Sequence, residues 1–119
     1  MRINAIQKEI TYSDTTAAEI GKIPAGAYVY DIKVLVTTAF NNGGTDLLDI
    51  GTKADDDYFQ ANLDVSSTGS KTITLGAYAL YGTVIDTDAQ TTVTATYAGS
   101  ATAATAGACK VIVFYAFNE

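Results

Sequence analysis

The chain has 119 residues, 13 of them acidic and 7 basic, for a net charge of −6, with one cysteine and neither histidine nor tryptophan. It is long enough to bury a core without disulfides, and its acidic balance offers no basic stripe to a phosphate backbone, which excludes nucleic acid as a partner. The missing histidine removes Ser-His and Cys-His catalysis together with the commonest transition-metal ligand.

Val, Ile, Thr and Tyr are abundant, Pro occurs once, and no window keeps a helical period for three turns. One all-β domain spanning residues 1–119 is expected. No charged-then-apolar leader opens the chain, and no apolar run approaches the roughly 18 residues of a membrane span. The protein is expected to be made and to fold in a cytoplasm, away from any membrane.

Residues 2–12 read as an edge strand, with Ile6, Ile10 and Tyr12 on one parity and Lys8 facing water. Ser13, Asp14 and Thr15 are turn residues whose side chains bond the local backbone. Residues 16–23 carry Ile20 and Ile23 in a pattern shared by a short strand and a helical turn, of which the strand is favoured, and Pro24 and Gly26 end the segment. The longest strand follows, with Tyr28, Tyr30, Ile32, Val34, Val36, Thr38 and Phe40 on one parity and Asp31, Lys33 and Thr37 on the other. It breaks at Asn41-Asn42-Gly43-Gly44 and resumes over residues 46–50, so a β-hairpin is expected.

Asp55, Asp56 and Asp57 repel one another and belong to a surface loop anchored by Tyr58 and Phe59. Residues 61–70 read as a long connection, with Leu63 and Val65 dipping inward and a Ser-rich tip. Residues 71–75 read as a strand, 76–82 as a strand end or wide turn holding Tyr78 and Tyr81, and 83–86 as a short strand or connection. A second hairpin is expected from residues 91–97 and 109–117, the latter apolar on both parities as in the middle of a sheet. Between them, residues 98–108 have side chains too small to hold a loop by packing, so a flexible or partner-ordered projection is expected. Seven or eight short strands with one long excursion fit an antiparallel two-sheet β-sandwich, most simply a jelly roll.

Little of this suggests chemistry. Cys109 shares parity with Val111, Val113 and Tyr115, which makes it an inert core thiol. Two carboxylate pairs, Asp46 with Asp49 and Asp86 with Asp88, have the residue type of a glycosidase, but no tryptophan supplies a sugar subsite. Asp46, Asp49, Asp55, Asp56 and Asp57 are hard oxygen donors of the kind calcium needs, in a spacing unlike an EF-hand, and simple solvation of the DDD turn is the plainer reading. Tyr28, Tyr30, Tyr78 and Tyr81 have the chemistry of a sugar platform, yet Tyr28 and Tyr30 share the parity of Ile32, which assigns them to the core or to a subunit interface. No cofactor and no enzymatic activity are expected.

Three segments carry a resemblance: Ile23-Pro24-Ala25-Gly26-Ala27, the run VLVTTAF at residues 34–40, and LDIGTKAD at residues 48–55. In this order they resemble small structural proteins of tailed-bacteriophage particles. The resemblance implies a β-sandwich virion protein without catalytic residues, above all a capsid decoration or cement protein binding the major capsid protein or other virion proteins. It would be assembled in the bacterial host cytoplasm. The alternative is a glycan- or receptor-binding module of a phage tail or fibre.

A final strand apolar on both parities leaves Ile112 and Phe114 needing a second cover, so a homo-oligomer is expected. The resemblance favours a homotrimer. Its interface candidates are Tyr28, Tyr30, Ile112 and Phe114, with Ser100, Thr102 and Thr105 of the small-residue loop.

Overall fold

The computed structural model describes residues 3–73, 88–101 and 103–117. Its strands are β1 Asn4–Thr11, β2 Ala18–Ile23, β3 Ala27–Thr38, β4 Asp46–Thr52, β5 Gln60–Asp64, β6 Gly69–Thr72, β7 Thr91–Gly99 and β8 Ala108–Phe117. The expectations for residues 74–87, including Tyr78, Tyr81 and the short strand at 83–86, lie outside the described residues.

Pairing is nested and antiparallel: β1 with β8, β2 with β7, β3 with β6 and β4 with β5. Further antiparallel ladders between β3 and β8 and between β4 and β7 gather these pairs into two sheets, ordered β1-β8-β3-β6 and β2-β7-β4-β5. The chain is thus one long hairpin closed at β4–β5 and rolled up, the jelly-roll form of the sandwich. Between the sheets lie Ile10, Ile32, Val34, Val36, Val111 and Val113 from the first and Ile20, Ile23, Leu48, Ile50, Val93 and Tyr97 from the second, all buried.

Local chemistry sets the connections. Ala27 N–H donates to Pro24 O at 3.2 Å, and Gly26 takes φ 84°, a left-handed value that glycine adopts without penalty, so β3 starts cleanly. Asp14 Oδ2 accepts from Thr11 N–H at 2.8 Å and closes the β1–β2 turn.

Several expectations are corrected. Neither expected hairpin forms: β3 and β4 lie in different sheets, as do β7 and β8. Alternation marks which residues face a core, and both sheets of a sandwich face the same core, so periodicity is blind to the partner. Residues 61–70 are not a simple connection but contain most of β5 and the start of β6, a short strand that Ser and Gly disguise. Tyr30 is not inward. The ladder to β8 shifts between Val29 and Asp31, so Tyr30 is the extra residue of a bulge and stands 43% exposed, while Val29 and Ile32 both point inward. Tyr28 is buried, although it is Ala27 and Val29 on either side of it that join the core cluster.

The loop after β7 is not a free projection. Asn41 Oδ1 accepts the N–H groups of Thr105 at 2.8 Å and Ala106 at 3.0 Å, and Asn42 Oδ1 accepts that of Ala101 at 2.9 Å. Hydrogen bonds from the β3–β4 corner do what small side chains cannot.

The core assignment predicts that Val34→Ala lowers stability by roughly 2 kcal/mol, from lost transfer energy plus a cavity. Lys33→Ala, on the exposed side of the same strand, is expected to change the melting temperature far less.

Candidate interaction surface

Strand β8 sits between β1 and β3, so its outward side chains occupy the middle of a sheet face. Cys109, Val111 and Val113 point inward and are fully buried, which turns Lys110, Ile112 and Phe114 outward. Burial pushes the Cys109 thiol up to about 12, with Asp14 and Glu9 adding to the rise, so it stays a neutral core group as its parity suggested.

In register across the outward face, Ile112 lies between Gln7 and Lys33, Phe114 between Ala5 and Asp31, and Lys110 between Glu9 and Leu35. Leu35 is 44% exposed, and the bulge adds Tyr30. Ile3, also 44% exposed, completes a shallow cleft of about 260 Å³ lined by Ile3, Tyr30, Asp31, Lys33 and Phe114. Tyr30, Ile112 and Phe114 therefore lie on one face, where exposed apolar side chains stand among charged ones, whereas Tyr28 is buried.

Charge on this face is internally matched. Lys33 Nζ lies 3.2 Å from Asp31 Oδ2, and Glu9 stands opposite Lys110. A chain of net charge −6 thus presents a locally neutral patch. The outward face of the second sheet is different: Thr92, Thr94 and Thr96 alternate along β7 beside Glu19, Lys22 and Asp49, with Lys22 and Glu19 paired at 3.0 Å. That face is mostly threonine and charge, with Leu47 opposite Ala98 at one end.

Strand edges are guarded. On β1, Lys8 lies opposite the inward Val111, and on β6, Lys71 lies opposite the inward Val34, so each edge of the first sheet carries a lysine on its core-side parity. Lys8 is exposed, as the sequence suggested, and Lys71 Nζ donates to Ser67 Oγ at 2.9 Å; a lysine that must stay in water at such an edge position opposes strand addition by a second chain. In the second sheet, β2 is irregular between Glu19 and Gly21, and β5 is short and bent at Asn62, whose φ is 56°.

Of the loop candidates, Ser100 and Thr105 are engaged by their own chain: Ser100 Oγ accepts Thr45 N–H at 2.8 Å, and Thr105 Oγ1 accepts from Asn41 Nδ2 at 3.0 Å. Thr102 lies outside the described residues. The sequence reading missed Asn41 and Asn42 as the clasp, although short amides beside Gly44 are the residue type that bonds neighbouring backbone.

The five aspartates considered for calcium do not form one site. Asp46, 3% exposed, accepts the Tyr97 hydroxyl at 2.6 Å and Asn42 N–H at 2.9 Å on Oδ1, at the start of β4. Burial, and then the bond to Asp46, pushes the Tyr97 hydroxyl up to about 12, so it remains a donor. Asp49 faces the other side of β4, where Oδ1 accepts Asn62 N–H at 2.8 Å, so Asp46 and Asp49 cannot work as a catalytic pair. Asp55, Asp56 and Asp57 follow the far end of β4, exposed, with carboxylate atoms within 4.8 Å of one another. A hydrogen bond and then the charge of Asp55 raise the Asp57 carboxyl above its ordinary value. Replacing all three with Asn is expected to leave the melting temperature unchanged or slightly higher, and adding a chelator to the unmodified protein to leave it unmoved. A large chelator-induced fall would reveal a bound cation.

No protein-family model matches the chain, and no curated protein matches it. Solved structures do share its fold. A chain of the cyanophage Pam1 capsid asymmetric unit superposes with a TM-score of 0.71 at 18% identity, covering 98% of this chain and 85% of that one. A chain of the acidic stable capsid of Helicobacter pylori bacteriophage KHP30 gives 0.66 at 15% identity over 95% and 86%, and one from the capsid of Ralstonia phage GP4 gives 0.65 at 19% over 99% and 86%. Each neighbour is therefore little longer than this sandwich.

Proposed function

We propose that this chain is a non-enzymatic structural protein of a tailed-phage particle, a decoration or cement protein that binds capsid subunits and stabilises the head. The observation that carries the reading is the contrast between the two outward faces. One groups the apolar side chains of Ile112, Phe114, Tyr30 and Leu35 among internally paired charges, and the other is mostly threonine and charge, with Leu47 at one end. An apolar face of this kind marks a protein contact, and guarded strand edges direct that contact to the face. The fold neighbours support the same reading, since each is a similarly small chain from a phage capsid. In the working form three copies of the chain meet through this face and engage the major capsid protein, with assembly in the host cytoplasm.

One observation favours the glycan- or receptor-binding alternative: exposed Tyr30 stands beside Asp31 at the cleft. Asp31 already accepts Ile32 N–H at 2.8 Å on Oδ1 and faces Lys33 Nζ through Oδ2, so a sugar hydroxyl would compete with a partner on each oxygen. Imaging intact particles with this protein labelled separates the two readings. Label spread over the head is expected; label confined to the tail or its fibres would replace the first reading with the second.

A further inference from the structure

Asn42 is followed by Gly43, the one Asn-Gly step in the chain. A glycine nitrogen has no side chain to shield it. The Asn42 carboxamide folds back along its own backbone, where Oδ1 accepts Gly44 N–H at 2.8 Å and Ala101 N–H at 2.9 Å. Its own N–H donates to Asp46 Oδ1 at 2.9 Å, and Asp46 is held in turn by the Tyr97 hydroxyl at 2.6 Å. Asn42 is half-buried and immobilised, while Gly43 and Gly44 are open to water.

Two backbone N–H groups aimed at one carbonyl oxygen form an oxyanion hole for the charge that develops when a nucleophile adds to Cγ. The bond from Gly44 N–H, two residues on, also folds the carboxamide toward the peptide it must meet, which favours a held encounter over a random one. From this geometry we infer that Asn42 is a self-modifying site, losing its side-chain amide spontaneously in the folded protein.

The chemistry needs only water. Gly43 N gives its proton to solvent base and attacks Cγ; the new N–Cγ bond forms, the Cγ–Nδ2 bond breaks, and ammonia leaves with a proton from water. The resulting cyclic imide takes up one water at either carbonyl and opens to aspartate or isoaspartate. One water is consumed and one ammonia released. The product places a second carboxylate next to buried Asp46, and isoaspartate lengthens the corner by one backbone carbon. Both changes strain the docking of the loop through Ala101, so the reaction loosens that loop with age.

The test is incubation of the full chain at mildly alkaline pH, folded and in denaturant, with peptide mapping of the mass gained when NH₂ is replaced by OH. The folded protein is expected to react at Asn42 several-fold faster than the unfolded chain, with Asn4, Asn41 and Asn62 as unreactive internal controls. Gly43→Ala should slow both reactions by shielding the nitrogen, and Ala101→Pro, which deletes one donor to Oδ1, should slow only the folded one. An equal or slower rate in the folded protein, or an Ala101→Pro variant that folds and reacts unchanged, would overturn the assignment.

Discussion

Phe40→Ala is expected to remove about 3–5 kcal/mol of folding stability, the range for emptying a buried aromatic site. The ring is buried just past the end of β3, its centroid 4.6 Å from that of Tyr97 at an interplanar angle of 40°. Phe40 N–H donates to Val65 O at 3.2 Å, which ties the corner to the segment leaving β5. Gly107 passes directly against it, and a Cβ built there would lie 2.5 Å from the ring. The ring thus packs against both β7 and the residue that precedes β8, while the backbone bond to Val65 survives its truncation, and small neighbours cannot fill the space it leaves. Denaturant unfolding measures the effect through the midpoint at constant slope. A loss below about 1 kcal/mol would mean that the loops hold this end without the ring.

Phe40 also marks what the sequence reveals and what it hides. Its burial was legible from parity, as was that of Ile32, Val34, Val36, Val111 and Val113, because alternation reports a face directly. The route of the chain beyond Phe40 was not. A turn of Asn and Gly after an apolar strand looks the same whether the next strand returns beside it or crosses to the opposite sheet, and here it crosses. The jelly roll was reached from strand number and spacing, while its pairings came only from the folded chain.

Phe114→Asp is expected to weaken self-association at least tenfold while leaving a folded sandwich. The side chain is half-buried at the centre of the apolar face, where a carboxylate beside Asp31 would break the local charge match and face desolvation against a neighbour. Leu35→Asp supplies an independent check from the exposed flank of the same face. Normal melting with lost association is the expected pair of results for both; unchanged association in both would move the contact elsewhere on the molecule.

That face was half legible. Ile112 and Phe114 stood out as apolar residues on the wrong parity of a central strand, a pattern that composition alone exposes. Tyr30 reaches the same face through a bulge that no periodicity announces, so its outward position was not legible from its parity with Ile32. Ser100 and Thr105 were chosen because their loop seemed unsupported, and the support lies in Asn41 and Asn42, far away in sequence.

The outward face of the β1-β8-β3-β6 sheet is proposed as an assembly surface. Light scattering of the purified chain across a wide concentration range tests this most directly. The expected mass is about three chains, falling to one chain on Phe114→Asp, as a closed homo-oligomer with a single type of contact requires. A mass of one chain at every concentration of the unmodified protein would contradict it.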